Sequence, residues 1–428
     1  MKKMRYGIFP VAIALLLTAC GGNNSEPAKS SQAPKNNNFT LIDPTDTSMV
    51  SSKVKAYVDA MREQEESLDD PYLYDDLKTP DPGYVDVANF LDEGEVEGQN
   101  RTVNGAVPDR SDKSLGVNLK FESKLNLEPS EYKVLVADNE DFENAKELVP
   151  NDDLEVSAKN LFVNKEYYWK VVAGDEESEV KTFETEDYPR WIDARPLFNV
   201  RDMGGYMTDS GKRVKQGLIY RGGEIVTQAW EEHLVTNSET SKKVFREEMK
   251  IGVELDLRKT DGRENEQGRY KACAFAEDGD IDFVPLPIGS YGNTISGNKK
   301  DLVTIFNLFA NADEKPVYYH CYGGADRTGT VGFLLNGLLG VSYTDLVIDY
   351  ELTSYSSINN EHIRSHAKSR QQWDHYAELI SGLKNDKTNG YVWDGTSSMK
   401  ENIENFLLKA CGVSQETINT IRDIMLED

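Results

Sequence analysis

Cys321 and Arg327 stand in a C-x5-R spacing within His320-Cys321-Tyr322-Gly323-Gly324-Ala325-Asp326-Arg327-Thr328-Gly329. A thiolate is a strong nucleophile, and a guanidinium can grip two oxygens of one tetrahedral anion as a fork. The apolar run Pro316-Val317-Tyr318-Tyr319 precedes the cysteine, and a longer one follows the arginine. That pattern predicts a strand, a tight loop and a helix. Such a turn aims backbone N–H groups and the positive end of a helix dipole at one spot, which makes an anion site. Tyr322, Gly323, Gly324 and Ala325 would form its floor, with glycine letting the backbone curl. Dipole and arginine both favour the thiolate of Cys321. Thr328 is placed to donate to the sulfur, and His320 to brace the loop rather than to act as a base. An anion site with a nucleophile at its floor implies phosphoryl transfer through a phosphocysteine.

From about residue 190 onward, strands and helices alternate, as in α/β domains. Gly217–Arg221, Gly252–Arg258 and Phe283–Leu286 read as strands, the last an edge strand because of Pro285. Residues 235–250 are broadly helical but polar, and Asp301–Asn311 fits an amphipathic helix. The helix after Arg327 is apolar nearly all round (Val331, Phe333, Leu334, Leu335, Leu338, Leu339), so it belongs in a domain centre, with Gly340 closing it. Ser342-x-x-Asp345 opens the next helix. Met399, Ile403, Phe406 and Leu407 form one helical stripe, and Ile418, Ile421 and Met425 another; both read as core.

The first half of the chain has a different texture. Lys2, Lys3 and Arg5 precede an apolar run too short to span a bilayer, and Leu17-Thr18-Ala19-Cys20 follows. These residues resemble a bacterial lipoprotein signal over 1–20, with Cys20 lipidated. The resemblance implies an exported protein held on a membrane by its lipid. Residues 21–83 read as a Ser/Asn/Pro-rich tether with a short helix (Val50, Val54, Tyr57, Val58, Met61). Between 84 and 187, short alternating segments such as Tyr84–Val87, Val117–Phe121, Tyr132–Val136 and Tyr167–Val172 predict a β-sandwich. Leu161-x5-Tyr167-x-Trp169-x-Val171 resembles the tyrosine-corner strand of fibronectin type III-like domains. Such domains are usually spacers or adhesion modules.

The chain has 428 residues and a formal net charge of −26, which disfavours nucleic acid or an anionic membrane surface as partner. Phosphorylated substrates would need a local basic pocket. After Cys20 only Cys273, Cys321 and Cys411 remain, too sparse for a disulfide scaffold, and Cys273 and Cys411 read as small core residues. No Cys/His cluster has zinc spacing; neither a metal nor a cofactor is expected.

His-Cys-x-x-Gly-x-x-Arg-Thr is similar to the signature loop of the cysteine-dependent protein tyrosine phosphatase superfamily. Asn199-Val200-Arg201-Asp202-Met203-Gly204-Gly205-Tyr206 resembles the N-x-R-D-x-G-G segment of a bacterial branch that also includes phosphoinositide phosphatases. Tyr220-Arg221-Gly222-Gly223, and Asp256-Leu257-Arg258 followed by Glu264, match that branch in the same order. The resemblance spans the last domain, 190–428, and implies metal-independent catalysis. Cys321 would attack phosphorus, and Arg327 and the loop amides would stabilise the equatorial oxygens. The resemblance also places an acid at Asp326, immediately before the arginine. The upstream segment 285–297 contains no carboxylate, and Asp282 is the second candidate. The alternative for Asp326 is a structural pairing with an arginine such as Arg201 or Arg221. Arg201, Asp202, Asp256 and Arg258 would support the loop from behind, or else form an ordinary ion-pair cluster at the strand ends. Relatives often carry lysine where this chain has Ala325. That shifts the expected substrate toward phosphotyrosyl protein or peptide, although Lys212, Arg213, Lys215 or Arg221 could supply charge for a phosphorylated lipid or inositol. A phosphate-binding surface module without strong catalysis is the rival from another class; sulfurtransferase and arsenate reductase are more distant.

Overall fold

The computed structural model describes residues 38–67, 85, 87–90, 113–225, 239–258, 273–356, 364 and 375–427. The signal segment with Cys20, and Glu264, lie outside them. None of the described helices is long and apolar enough to cross a membrane.

Two antiparallel sheets lie in the first half of the chain. One joins β1 (Phe39–Ile42), β2 (Val117–Ser123) and β5 (Glu155–Ala158) in the order β1-β2-β5. The other holds β3 (Lys133–Ala137), β4 (Lys146–Leu148), β6 (Glu166–Ala173), β7 (Glu176–Glu177) and β8 (Lys181–Glu184) around β6. Inward residues alternate along the strands: Val117, Leu119 and Phe121 on β2, and Tyr167, Trp169 and Val171 on β6. All six share one apolar cluster. Alternation at period two is what puts one face of each strand into that cluster.

The division read from sequence shifts at two places. Phe39–Ile42, within the expected tether, is a strand paired along β2. Val87, expected in a strand, begins a 3-10 turn and is buried with the second half of the chain. The α-helix α1 (Ser52–Ser67) also belongs there: Val54, Tyr57, Val58 and Met61 are buried in the same cluster as the later helices. Four residues with alternating polarity are too few to fix a strand. Burial against a distant element decided the outcome.

The second half is built on a five-stranded sheet in the order β13-β12-β14-β11-β9. Its members are β9 (Arg201–Asp202), β11 (Ile219–Gly222), β12 (Val253–Asp256), β13 (Asp282–Pro285) and β14 (Val317–His320), while β10 (Arg213–Val214) lies outside it. Strands β11, β14, β12 and β13 run parallel, and β9 is antiparallel at one edge. The register aligns Gly222, His320, Asp256 and Pro285 at one end. Crevices beyond the carboxyl ends of parallel strands are where ligands bind in such sheets. Helices α2 (Lys299–Phe309), α3 (Asp326–Leu339) and α4 (Tyr343–Glu351) follow. α3 is buried from Thr328 to Leu339 and ends at Gly340 in the left-handed region, φ 89°. Ser342 caps α4 by accepting from the Asp345 N–H.

Arg190 ties the two halves together. Its Nε donates to the Leu161 carbonyl at 2.9 Å, and Nη2 to that of Asn160 at 2.8 Å. Nη1 meets Asp202 at 2.5 Å, and the guanidinium lies 4.3 Å from the Phe162 ring centre. Asp202 also accepts from the N–H groups of Gly204 and Gly217. It therefore serves this junction, the ion-pair alternative expected for it, rather than the support of the cysteine loop. Removing one member of a buried ion pair strands the other charge. Arg190→Met is expected to lower stability by about 3–5 kcal/mol, read as a lower urea midpoint of the full chain.

Candidate active site

The cysteine loop lies at the end of β14, where the central parallel strands finish. Each of its carbonyls from Cys321 to Asp326 meets a donor. His320 Nδ1 lies 3.1 Å from the Cys321 oxygen, and the Glu224 N–H donates to that of Tyr322 at 2.9 Å. Asn199 Nδ2 donates to the oxygens of Gly323 at 2.9 Å and Gly324 at 3.2 Å, and Arg221 Nη2 adds a 2.7 Å bond to Gly324. The Gly329 N–H reaches Ala325, and the Thr330 hydroxyl reaches Asp326. A peptide's C=O and N–H point in opposite directions. Holding the carbonyls from behind therefore turns the following amides to the other side, where an anion can take them.

Gly324 has no substitute here. Its φ is +65°, and a Cβ would sit 2.4 Å from the Gly222 carbonyl carbon. Cys321 is 3% exposed at the floor. Burial alone would push its thiol up, and Asp326 adds to that. The Arg327 charge and the Thr328 hydroxyl and N–H outweigh both and hold it below the ordinary thiol value. The Thr328 hydroxyl is buried with no acceptor in full hydrogen-bond geometry, so the sulfur is the acceptor left to it. Arg327 is part-buried, and its Nη1 reaches the Leu257 carbonyl at 3.2 Å.

Behind the loop lie three charged groups. Arg201 and Arg221, fully buried, share Asp349 of α4. Burial would neutralise that carboxyl, but the two arginines keep it below the usual carboxylate range. Arg221 makes the closer contact and is raised despite its burial; Arg201, buried and repelled by its neighbour, is lowered. Arg201 also donates to Asn199 Oδ1, so it reaches the loop through Asn199.

The second group is His320. Its Nε2 lies 2.9 Å from Glu254, and although burial opposes its charge, Asp256 and Glu254 raise its pKa above the ordinary imidazole value. Protonated, it donates from both nitrogens.

The third group is Arg258, which meets Glu224 at 2.5 Å and Asp256 through Nε at 2.8 Å, with the Tyr322 ring 6.0 Å away. Glu254, Asp256 and His320 bring ligand atoms within 4.8 Å of one another, the spacing of a metal site. The bonds of His320 to Glu254 and of Asp256 to Arg258 account for that clustering.

The two acid candidates separate. Asp326 opens α3 beside Arg327, with its carboxylate partly exposed. It does pair with an arginine, but with Arg364 rather than Arg201 or Arg221. Asp282 stands at the opposite end of the sheet, in register with Val253, and is bound to Lys315. Three strand residues, roughly 10 Å, separate it from the level of Asp256, so it is out of reach of the loop.

Sequence reasoning gave no role to Glu224, Glu254, Tyr291, Asp349 or Arg364, and quoted Asn199 only as part of a motif. Two signals were present: carboxyls alternating within the buried run Val253-Glu254-Leu255-Asp256, and Asp345 and Asp349 spaced i, i+4 on an otherwise apolar helix.

A cysteine at the floor of an amide-lined loop, with an arginine beside it and a parallel sheet behind, defines a cysteine-dependent phosphatase. The chain belongs to the tyrosine phosphatase family, whose model matches residues 192–427. Among solved structures it is similar to the core catalytic domain of the PP-IP phosphatase SIW14 from S. cerevisiae in complex with citrate. That match has 19% identity over 33% of this chain and 72% of that one, with a TM-score of 0.23. It is also similar to P. aeruginosa TpbA, with 13% identity, 50% and 89% coverage and a TM-score of 0.20. A cysteine-to-serine TpbA in complex with pTyr gives 12%, 41%, 91% and 0.24. A comparison with curated proteins finds no match.

A depressed thiol pKa extends the thiolate to lower pH than an ordinary cysteine allows. Inactivation by iodoacetate should reach its plateau well below pH 9, and in Thr328→Ala the plateau should move to higher pH. A rate still rising through pH 9 in the wild type would contradict the assignment.

Proposed function

We propose that the chain hydrolyses phosphotyrosine in proteins or peptides through a phosphocysteine on Cys321. The observation that carries the substrate class is the charge at the mouth. Ala325 supplies none, and among the described residues the nearby arginines are committed: Arg201 and Arg221 to Asp349, Arg258 to Asp256 and Glu224, Arg364 to Asp326, and Arg213 to Asp187 and the Gly205 carbonyl. Arg327, with one contact to a carbonyl, is the cation in the loop left to grip a phosphate. Among the described residues, one gripping cation suits a single phosphoryl group better than a polyphosphorylated ring.

In this reading the Cys321 thiolate attacks phosphorus in line with the leaving oxygen. Arg327 and the loop amides take the equatorial charge, and Asp326 protonates the leaving oxygen. Water then hydrolyses the phosphocysteine, with Asp326 as base.

We read the two antiparallel sheets as a fibronectin type III-like sandwich. Their shared core supports it, as does the 2.9 Å bond from the Phe162 N–H to the Tyr167 hydroxyl, the pattern of a tyrosine corner. On the pattern of residues 1–20, we read the protein as exported and lipid-anchored through Cys20.

Side-by-side assay of phosphotyrosyl peptides and phosphoinositides tests the substrate. Higher kcat/KM on the peptides, unchanged in EDTA, is expected, whereas preference for the lipids would reverse the reading. Cys321→Ser should abolish turnover and keep substrate binding; residual turnover near wild type would remove the phosphocysteine. Cys20→Ala should block incorporation of a labelled fatty acid in a bacterial host, and persisting label would refute the anchor.

A further inference from the structure

Asp326 is gripped by two residues that lie far from it in sequence. The Tyr291 hydroxyl donates to Oδ1, and Arg364 Nη2 lies 3.1 Å from the same oxygen. Oδ2 is the oxygen that these contacts leave open.

Tyr291 is registered on α3 twice. Its N–H donates to Thr330 Oγ1 at 3.0 Å, and that hydroxyl bonds the Asp326 carbonyl. Its backbone holds φ at +49°, a strained value for a bulky residue. Its ring packs edge-on against Tyr350, 6.5 Å between centres. Burial, with Tyr350 and Asp326 adding to it, raises the phenol well above its ordinary value, so it remains a donor.

Arg364 is 6% exposed, and its backbone N–H is fixed by Ser354 Oγ at 2.7 Å. Its Nε finds no partner among the described residues. A guanidinium this buried needs a counter-charge, and Asp326 supplies it.

A carboxylate on the first turn of a helix could otherwise swing between rotamers. Two donors from different parts of the chain, converging on one oxygen, are an arrangement for aiming the other. We propose that Tyr291 and Arg364 are positioning residues: they hold Asp326 by Oδ1 so that Oδ2 faces the leaving oxygen. The proposal rests on Asp326 as the acid.

In the first step the S–P bond forms as the ester P–O bond breaks, and the Oδ2 proton passes to the leaving oxygen. In the second, a water oxygen bonds phosphorus, the S–P bond breaks with its electrons returning to Cys321, and Oδ2 takes the water proton. Both donors favour the carboxylate that proton transfer creates, so they act where that charge develops.

The test uses the full chain and a series of phosphate esters running from good aryl to poor alkyl leaving groups. Tyr291→Phe and Arg364→Met are expected to lower kcat at least about tenfold on the poor leaving groups, a fraction of what a general acid contributes. On the best leaving groups the loss should stay within about threefold, with KM little changed, and Arg364→Lys should recover part of it. In an Asp326→Asn background, Tyr291→Phe should cost nothing more, because the two act as one unit. Equal losses across all leaving groups, or a further loss in the Asp326→Asn background, would overturn the proposal while leaving the acid in place. If Asp326→Asn itself shows no dependence on the leaving group, the acid assignment fails and the positioning role fails with it. Tyr291→Phe removes a single oxygen, so the test survives if Arg364→Met does not fold.

Discussion

The structure depends on the outward restraint of the loop's carbonyl oxygens. A loop that gathers N–H groups around an anion must point its carbonyls elsewhere, and in a buried setting each one left without a donor costs about 1–3 kcal/mol. Here the donors come from the ends of neighbouring strands and from the side chains of Asn199, Arg221 and His320. These side chains are buried and must be balanced in turn. Asp349 answers the arginines, and Glu254 answers the histidine. The sequence of the second half can be read outward from this requirement. The loop fixes the donors, the donors fix their counter-charges, and the counter-charges fix α4 and β12.

The same logic assigns different duties to two adjacent residues of the N-x-R-D-x-G-G segment. Arg201 faces inward and reaches the loop through Asn199. Asp202, its neighbour on β9, holds Arg190 and the backbone of Gly204 and Gly217. One short edge strand thus joins the catalytic loop to the paired sheets. Asn199 adopts φ +55°, a conformation asparagine tolerates better than most residues, and this accompanies a side chain that spans the Gly323 and Gly324 carbonyls.

Local patterns in the sequence disclosed much of this. The C-x5-R spacing, the strand before it and the apolar helix after it are contained within some two dozen residues. Strand β13 was legible as an edge because Pro285 cannot donate to a further strand. The partners of buried charges were not legible. Nothing near Asp349 in sequence points to Arg201 or Arg221, and nothing near Asp326 points to Arg364. Those pairings exist only once the sheet has closed. Phe39–Ile42 was missed for a related reason. Four residues in a polar stretch carry little periodicity, and their identity as a strand comes from β2, which begins 75 positions after Ile42. Which of its two expected duties Asp202 performs was not legible, because the motif gives order along the chain, whereas the duty is set by which way β9 turns each side chain.

Helix α1 raises a matter of timing. Its Tyr57 hydroxyl bonds Glu351 of α4, 294 residues further along, and its Arg62 pairs with Asp345. During synthesis this helix emerges early and waits while the rest of both sheets, the parallel core and the cysteine loop are made. Loop-closure entropy grows only slowly with length, so the finished contact is affordable, but contacts of such separation form late. Until then its apolar stripe of Val54, Tyr57, Val58 and Met61 has no permanent cover. A chain lacking residues 52–67 would face the opposite difficulty, since the phosphatase unit would lack the piece that seals α4. The catalytic body is therefore assembled from two distant stretches of the polypeptide, and a late act of its folding is to retrieve a helix made before most of it.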